Sequence, residues 1–198
     1  MTYIDHIKSN FNTITEERKQ LLAPLLAYIK EKKEKKKNCK LLLICTHNSR
    51  RSHFSQIWAQ IAADHYGCDF VTTYSGGTEA TAFYTRAVKT LQTVGLQIDV
   101  DDLSKPNPVY NIHYGNAKAI KAFSKTFNHE SNPQQNFAAI MTCDHVDQNC
   151  PFVPGAETRI PLYYIDPKVS DNTPEEAETY LERCLQIATE FFYVFSQV

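Results

Sequence analysis

Two patterns of hydrophobic and polar positions alternate along the chain from about residue 40 onward. Short continuous apolar runs, such as "LLLIC" at 41–45 and "FAAIMTC" at 137–143, are typical of strands that are covered on both faces. Between the runs lie segments with apolar residues at helical spacing, for example Phe54, Ile57, Trp58 and Ile61. This alternation predicts a parallel sheet with helices on both of its faces.

Four strands are predicted in this part of the chain. They are "LLLIC", "FVTTYSGG" at 70–77, "FAAIMTC" and "TRIPLYYID" at 158–166. The last is placed at an edge of the sheet because Pro161 has no N–H group to donate to a strand ladder. The predicted class is therefore α/β, a three-layer α/β/α fold with a four-stranded parallel sheet.

Three helices are predicted to connect or close these strands. The first starts after Arg51 and ends near Gly67, and the second covers "TRAVKTLQTVG" up to Gly95. The third closes the chain, with Thr173 as its N-cap and Pro174 at its first position.

Two further segments do not follow the alternation. Residues 1–38 predict a helical N-terminal extension, because Leu21, Leu22, Leu25, Leu26 and Ile29 recur at helical spacing, although Pro24 weakens the pattern locally. The run "KEKKEKKKNCK" that follows is interpreted as a solvated helix end or linker. The main domain is predicted to cover residues 39–198. Within it, two extended segments on either side of Gly115-Asn116 predict an inserted β-hairpin at about residues 106–127.

The net charge and the hydropathy of the chain limit the classes of function that it could have. The chain has 198 residues, a formal net charge of -1 and a pI near 6.6, which gives no electrostatic reason to expect binding to nucleic acid or to an anionic membrane. No apolar run approaches the roughly 20 residues that span a bilayer, and the first residues do not resemble a secretion signal. We expect a cytoplasmic protein whose six cysteines are mostly reduced thiols.

The end of the first strand is the strongest candidate for chemistry. Cys45 is followed by Thr46, His47, Asn48, Ser49, Arg50, Arg51 and Ser52, and then by a helix. A loop between a buried strand and a helix N-terminus directs free N–H groups at one point, which favours an oxyanion and stabilises a thiolate. Arg51 could bind two oxygens of a tetrahedral anion, and Ser52 could donate to the Cys45 sulfur. The alternative is that Cys45 is a small buried hydrophobe.

This segment, which reads C-x5-R-S, resembles the phosphate-binding loop of low-molecular-weight protein tyrosine phosphatases and of the thioredoxin-coupled arsenate reductases that share their fold. The similarity continues through "YSGGTEATAFYTRAVKTLQTVG" and Asp166-Pro167, and it covers roughly residues 40–198 apart from the hairpin. The resemblance implies that Asp166 is a general acid that protonates the leaving oxygen. An Asp-Pro turn is the alternative for Asp166, and Asp171 is another candidate acid that fits a capping role better.

Two more thiols distinguish between reactions of this family. Cys143 ends the third strand on the same sheet edge as Cys45, and Cys150 follows after six residues, with a proline behind it. The resemblance implies a relay in which Cys143 attacks Cys45, Cys150 then attacks Cys143, and thioredoxin reduces the resulting pair. A regular helix over 143–150 would separate the two residues by about 10.5 Å, so the segment must unwind during turnover. Zinc binding with His145 and a purely structural role are the alternatives.

Two loop positions depart from the reductase pattern, which usually has glycine at position 47 and cysteine at position 50. If that glycine requires positive φ, His47 is strained by about 1–2 kcal/mol. Arg50 adds positive charge beside the loop and should help an anion to bind.

These observations favour an arsenate reductase that takes arsenate or a phosphate-type oxyanion and thioredoxin or a similar dithiol reductant. It needs no cofactor and no metal. A low-molecular-weight phosphatase that forms a phosphocysteine at Cys45 is the second candidate, and an oxyanion-binding module without turnover is the third.

Overall fold

The main sheet contains four parallel strands. The computed structural model describes residues 3–115, 117–144 and 152–198. The sheet has the order β2-β1-β6-β7, and every neighbouring pair is parallel. Its strands are β1 (Cys39–Cys45), β2 (Val71–Gly77), β6 (Phe137–Met141) and β7 (Ala156–Pro161). The four predicted strands are confirmed. Strand β7 lies at an edge of the sheet, as predicted from Pro161.

Helices cover the sheet and confirm the three-layer class. The described helices are α1 (Tyr3–Ser9), α2 (Glu16–Glu34), α3 (Arg51–His65), α4 (Thr85–Thr93) and α5 (Glu176–Ser196). The larger core lies between β1 and the helices and includes Leu41, Leu43, Trp58 and Phe191. A smaller cluster with Leu42 and Ile44 covers the opposite face of β1. Strand β1 is therefore buried on both faces, which explains its uninterrupted apolar sequence.

The N-terminal extension packs into the larger core. Helix α2 continues through Pro24, and the side chain of Thr15 caps its start by accepting a bond from the Arg18 N–H group. Leu22, Leu25 and Ile29 are buried together with the core residues of the main domain. The apolar stripe thus contacts the same chain.

The predicted hairpin is confirmed and belongs to a second sheet. Strands β4 (Tyr110–Tyr114) and β5 (Lys118–Ala122) pair in antiparallel fashion, and β3 (Gln97–Val100) adds to β4 in the order β3-β4-β5. The sequence did not predict β3, whose four residues include no fully buried side chain. Asn116, in the predicted turn, is outside the described residues.

Two predicted boundaries are wrong. Strand β7 ends at Pro161, so Asp166 does not end a strand but lies five residues beyond it in extended conformation. Helix α5 begins at Glu176 rather than after Thr173. The Thr173 hydroxyl donates to the Ser170 carbonyl, at 2.9 Å, within a turn that follows a short 3-10 helix. It forms no side-chain cap on α5.

Candidate active site

Residues 46–50 form a loop between β1 and α3. Most of its carbonyl oxygens accept hydrogen bonds from neighbouring segments of the chain. The carbonyls of Cys45, Thr46, His47 and Ser49 accept hydrogen bonds from the N–H groups of Thr78, Glu79 and Tyr84 and from the Ser124 hydroxyl. In contrast, no described residue accepts a hydrogen bond from the main-chain N–H groups of residues 46–50. Unpaired donors that converge at a helix N-terminus are suited to bind an anion.

A glycine at the end of β2 allows the loop to approach. Gly77 lies opposite Cys45 in the parallel register. A Cβ atom on Gly77 would lie 2.4 Å from the Glu79 carbonyl oxygen, 2.6 Å from the Thr46 carbonyl oxygen and 2.7 Å from the Asn48 nitrogen. All three contacts are with main-chain atoms, so only glycine permits this loop position.

The Cys45 thiol is supported by a short chain of hydrogen bonds. Its sulfur lies 3.1 Å from the Ser52 hydroxyl oxygen, and that oxygen accepts a bond of 2.8 Å from the Asn48 side-chain amide. Because the serine oxygen already accepts from Asn48, its own proton is free to be donated to the sulfur. Cys45 is 4% exposed and Ser52 is fully buried. This arrangement places a hydroxyl proton beside the Cys45 sulfur at the base of the loop.

Arg51 and Asp166 are brought into direct contact. The Arg51 Nη2 lies 2.6 Å from the Asp166 carboxylate, and its Nη1 donates to the Tyr164 carbonyl at 3.0 Å. The buried Nε of Arg51 has no partner among the described residues. The two printed bonds use two of the five N–H groups of the guanidinium, so the Nε and one N–H on each Nη nitrogen are still available to an anion, and the expected contact with two oxygens stays a prediction. Asp166 also accepts from the Lys168 N–H and begins the short 3-10 helix Pro167–Ser170.

Arg50 is paired with the C-terminal part of the chain, so the positive charge that was expected to help an anion bind is largely neutralised. Its Nη2 lies 2.7 Å from Asp171, its Nε donates to the Tyr180 hydroxyl at 2.5 Å, and its guanidinium stacks on the Tyr84 ring. Burial and the Asp171 carboxylate both raise the pKa of Tyr180, which keeps its proton. The Asp171 side chain is occupied by these contacts and caps no helix, but its main-chain N–H donates to the Lys168 carbonyl at 3.0 Å and closes the short 3-10 helix Pro167–Ser170.

The expected strain at His47 is absent. The residue with positive φ in the loop is Asn48, at 44°, and not His47. Asparagine tolerates this conformation better than most residues, and Asn48 is also fixed by its contacts with Ser52 and Lys125. The His47 ring is exposed and lies 3.5 Å from the Glu79 carboxylate.

Cys143 lies beside the loop. The register pairs Ile44 of β1 with Met141 of β6, and both the N–H and the hydroxyl of Thr142 donate to the Ile44 carbonyl. The Cys143 sulfur is 3.7 Å from the Thr46 hydroxyl oxygen, and the residue is 1% exposed. Cys150 and His145, with the predicted unwinding of 143–150, lie outside the described residues.

The sequence analysis missed two residues that are distant from the loop in sequence but hold it through hydrogen bonds. The Ser124 hydroxyl donates to the His47 carbonyl at 2.9 Å, and the Lys125 N–H donates to the Asn48 side-chain oxygen at 2.9 Å. Both residues follow β5, so the inserted second sheet leads directly to the loop. The segment "FSKT" carries no local signal for this role.

The described residues contain no group of three metal-ligating side chains. Nor is any helix in the described part of the chain long and apolar enough to cross a bilayer.

Comparisons with known proteins give structural matches only. No family model matches the chain, and no curated protein matches its sequence. A low-molecular-weight phosphotyrosine phosphatase from Vibrio cholerae O395 is 14% identical, with a TM-score of 0.53 over 80% of this chain and 95% of that one. A phosphorylated cysteine-to-serine mutant of YwlE arginine phosphatase is 13% identical, with a TM-score of 0.52 over 80% and 94%. An arsenate reductase in its phosphate binding state is 13% identical, with a TM-score of 0.44 over 81% and 98%.

The phosphatase matches with TM-scores above 0.5 confirm the predicted fold class. The chain has the fold of the low-molecular-weight phosphotyrosine phosphatases, extended at its N-terminus and enlarged by the second sheet. Its candidate site lies at the carboxyl end of β1, where open parallel sheets bind their ligands.

Proposed function

We propose that the protein reduces arsenate to arsenite through a Cys45 thiolate and a disulfide relay. The observation that carries this proposal is the position of Cys143, whose sulfur is 3.7 Å from the hydroxyl of the residue next to Cys45. Ester hydrolysis by a cysteine nucleophile needs one thiol, whereas reduction needs a second thiol that can reach the first.

The loop and its neighbours supply the first step. The N–H groups of residues 46–50 and the Arg51 Nε bind the arsenate oxygens. The Cys45 thiolate forms a bond to arsenic, and the arsenate hydroxyl group takes one proton from Asp166 and leaves as water. The arsenate dianion competes with the Asp166 carboxylate for the Arg51 guanidinium, so binding of the substrate would free the Asp166 side chain from this ion pair.

The second step transfers electrons. The Cys143 thiolate attacks the Cys45 sulfur, and the arsenic–sulfur bond breaks with its electron pair left on arsenic. Arsenite leaves and a Cys45–Cys143 disulfide remains. Cys150 then attacks the Cys143 sulfur and releases the Cys45 thiolate, and a dithiol protein of the thioredoxin type reduces the Cys143–Cys150 disulfide. The role of Cys150 rests on the sequence alone.

Such a relay requires a reducing compartment, so we also propose a cytoplasmic location. In the same proposal, residues 39–198 form the catalytic domain and residues 1–38 are an extension of it.

Serine variants of the three thiols test the relay. With arsenate and a thioredoxin system, Cys45→Ser, Cys143→Ser and Cys150→Ser should each lose multiple turnover, whereas the control Cys68→Ser should not, because Cys68 is not part of the proposed site. One equivalent of arsenate should leave a Cys45–Cys143 disulfide in Cys150→Ser, which peptide mass spectrometry would detect. Full arsenate turnover by Cys143→Ser would contradict the relay.

Hydrolysis of phosphate monoesters is the second candidate. It is favoured by the contact of Arg51 with Asp166, which brings a potential acid to the loop, and it requires only Cys45 as a nucleophile. In this case Cys143→Ser and Cys150→Ser should hydrolyse p-nitrophenyl phosphate as the wild type does, and Cys45→Ser should not. If the wild type shows neither activity but binds phosphate, the site is an oxyanion-binding module.

A further inference from the structure

A second cationic group is buried beside the Cys45 loop, on a residue whose main-chain N–H donates to Asn48 of that loop. Lys125 is 5% exposed, and its ammonium has one weak acceptor, the Phe123 carbonyl at 3.4 Å, while it lies 4.6 Å from the centre of the Phe123 ring. No carboxylate in the described part of the chain forms an ion pair with it. Burial lowers the pKa of Lys125 to about 8, so the side chain still carries its proton for most of the time at pH 7. A buried charge in this state favours an anionic partner.

A cavity of about 380 Å³ adjoins this lysine. That volume lies at the small end of the range of about 300–1,000 Å³ for ligand pockets. Aromatic and aliphatic side chains line it, among them Tyr74, Tyr114, Ile120 and Phe123, and the amides of Gln56 and Asn132 are also at its surface. An open cavity that has aromatic and aliphatic side chains, amides and a buried lysine in its wall matches a small molecule with one acidic group.

We propose that this cavity binds a small organic carboxylate, with the carboxylate on the Lys125 ammonium and the uncharged body against Phe123 and Tyr74. The cavity lies between α3, β2 and the inserted second sheet, outside the Cys45 loop. The inference does not rest on the proposed reaction, because it concerns a cation that takes no part in it.

The same lysine connects the cavity to the candidate site. Its main-chain N–H holds the Asn48 side-chain oxygen at 2.9 Å, and the Asn48 amide holds Ser52, which contacts the Cys45 sulfur. A ligand that fixes the Lys125 side chain also restricts this main-chain segment. We therefore include in the proposal that occupancy of the cavity changes the reactivity of Cys45.

Benzoate and its neutral analogue benzamide are the probes for this site. At constant ionic strength, benzoate should raise the thermal midpoint of the wild type in a saturable way, and benzamide should not. Lys125→Met has a side chain only one atom shorter and keeps the main-chain N–H group, but it removes the charge, so this variant should lose the response. Lys121→Met removes an exposed charge from the rim of the same cavity and should keep it.

An equal benzoate response in Lys125→Met, or no saturable response in the wild type, would overturn the binding site. Benzoate bound in the Cys45 loop would produce the first of these results, since the loop is intact in that variant.

The link between the cavity and Cys45 is tested by the rate at which iodoacetamide alkylates Cys45, measured by peptide mass spectrometry. Benzoate should change that rate in the wild type and not in Lys125→Met, and an unchanged wild-type rate at saturation would refute the link.

Discussion

Arg18 and Glu190 join the two ends of the chain in a bidentate ion pair. The Arg18 Nε lies 2.9 Å from one Glu190 carboxylate oxygen, and its Nη2 lies 2.6 Å from the other. The remaining Nη1 donates to the Tyr163 carbonyl at 2.9 Å, and Glu190 also accepts a bond from the Tyr164 hydroxyl. The N-terminal extension therefore supports the segment whose Tyr164 carbonyl is bonded to Arg51.

Loss of this ion pair should destabilise the whole domain. Glu190 is 2% exposed, so Arg18→Met leaves a buried carboxylate without its cation and should lower the free energy of unfolding by about 3 kcal/mol. Urea titration measures this change. The double variant Arg18→Met/Glu190→Met should recover most of the loss, because replacing both partners by apolar residues is often nearly neutral. Lys19→Met, which removes an exposed pair with Glu16, should cost less than about 1 kcal/mol.

The close approach of the loop to β2 should make Gly77 intolerant of any side chain. Gly77→Ala forces main-chain atoms of the loop to move, and a displacement near 1 Å costs roughly a hundredfold in turnover. Gly67→Ala is the matched control, because its Cβ would meet nothing within 4 Å although its φ is +69°. It should lose about 1 kcal/mol of stability and keep its turnover. Comparable turnover in the two variants would contradict the argument from packing.

The Ser52 hydroxyl should be required for the reactivity of Cys45. Ser52→Ala removes the contact with the sulfur, and a hydrogen bond to a charged group contributes about 1.5–3 kcal/mol, or roughly ten- to hundredfold in rate. Ser55→Ala on the same helix is the control, since its buried hydroxyl has no hydrogen-bond partner among the described residues. Alkylation of Cys45 by iodoacetamide and turnover of p-nitrophenyl phosphate or arsenate would both report the effect. Similar rates for the two variants would show that the Ser52 contact is not functional.

Local patterns in the sequence were sufficient for the parallel sheet and for the loop. The run "LLLIC" predicts β1 because both faces of that strand are buried, and the polar residues after Cys45 mark the point where the strand ends at a ligand site. The contact of Ser52 with Cys45 also followed from their spacing across a strand and the first turn of a helix.

Contacts between distant segments could not be predicted from such patterns. The sequence did not indicate that the Arg50 charge is paired, because its partners Asp171 and Tyr180 are more than a hundred residues away in sequence. For the same reason, nothing near Ser124 or Arg18 indicated that these residues support the site. The expected strain at His47 was wrong because the turn places its positive φ one residue later, at Asn48.

The buried charge of Lys125 should make stability depend on pH in a defined direction. Folding lowers the pKa of Lys125 from 10.5 to about 8, so the unfolded state binds more protons between these values and stability rises with pH in that window. Below pH 8 the unfavourable protonated form costs about 3 kcal/mol. Lys125→Met should therefore be more stable than the wild type at pH 7, and the difference should decrease by pH 10.

Comparison of the two proteins removes most of the contribution of the other groups that titrate near Lys125, although the Lys125 charge is itself one cause of the lowered pKa of His53. Those on the packed elements are His53 on α3, Tyr74 on β2, Tyr114 on β4 and Lys121 on β5, all present in both proteins. Burial lowers the pKa of His53, whereas it raises the pKa values of Tyr74 and Tyr114. The measurement is urea unfolding at pH 7 and pH 10. A constant difference between wild type and variant would mean that Lys125 keeps its proton through this range, and it would contradict the claim that burial lowers the pKa of Lys125.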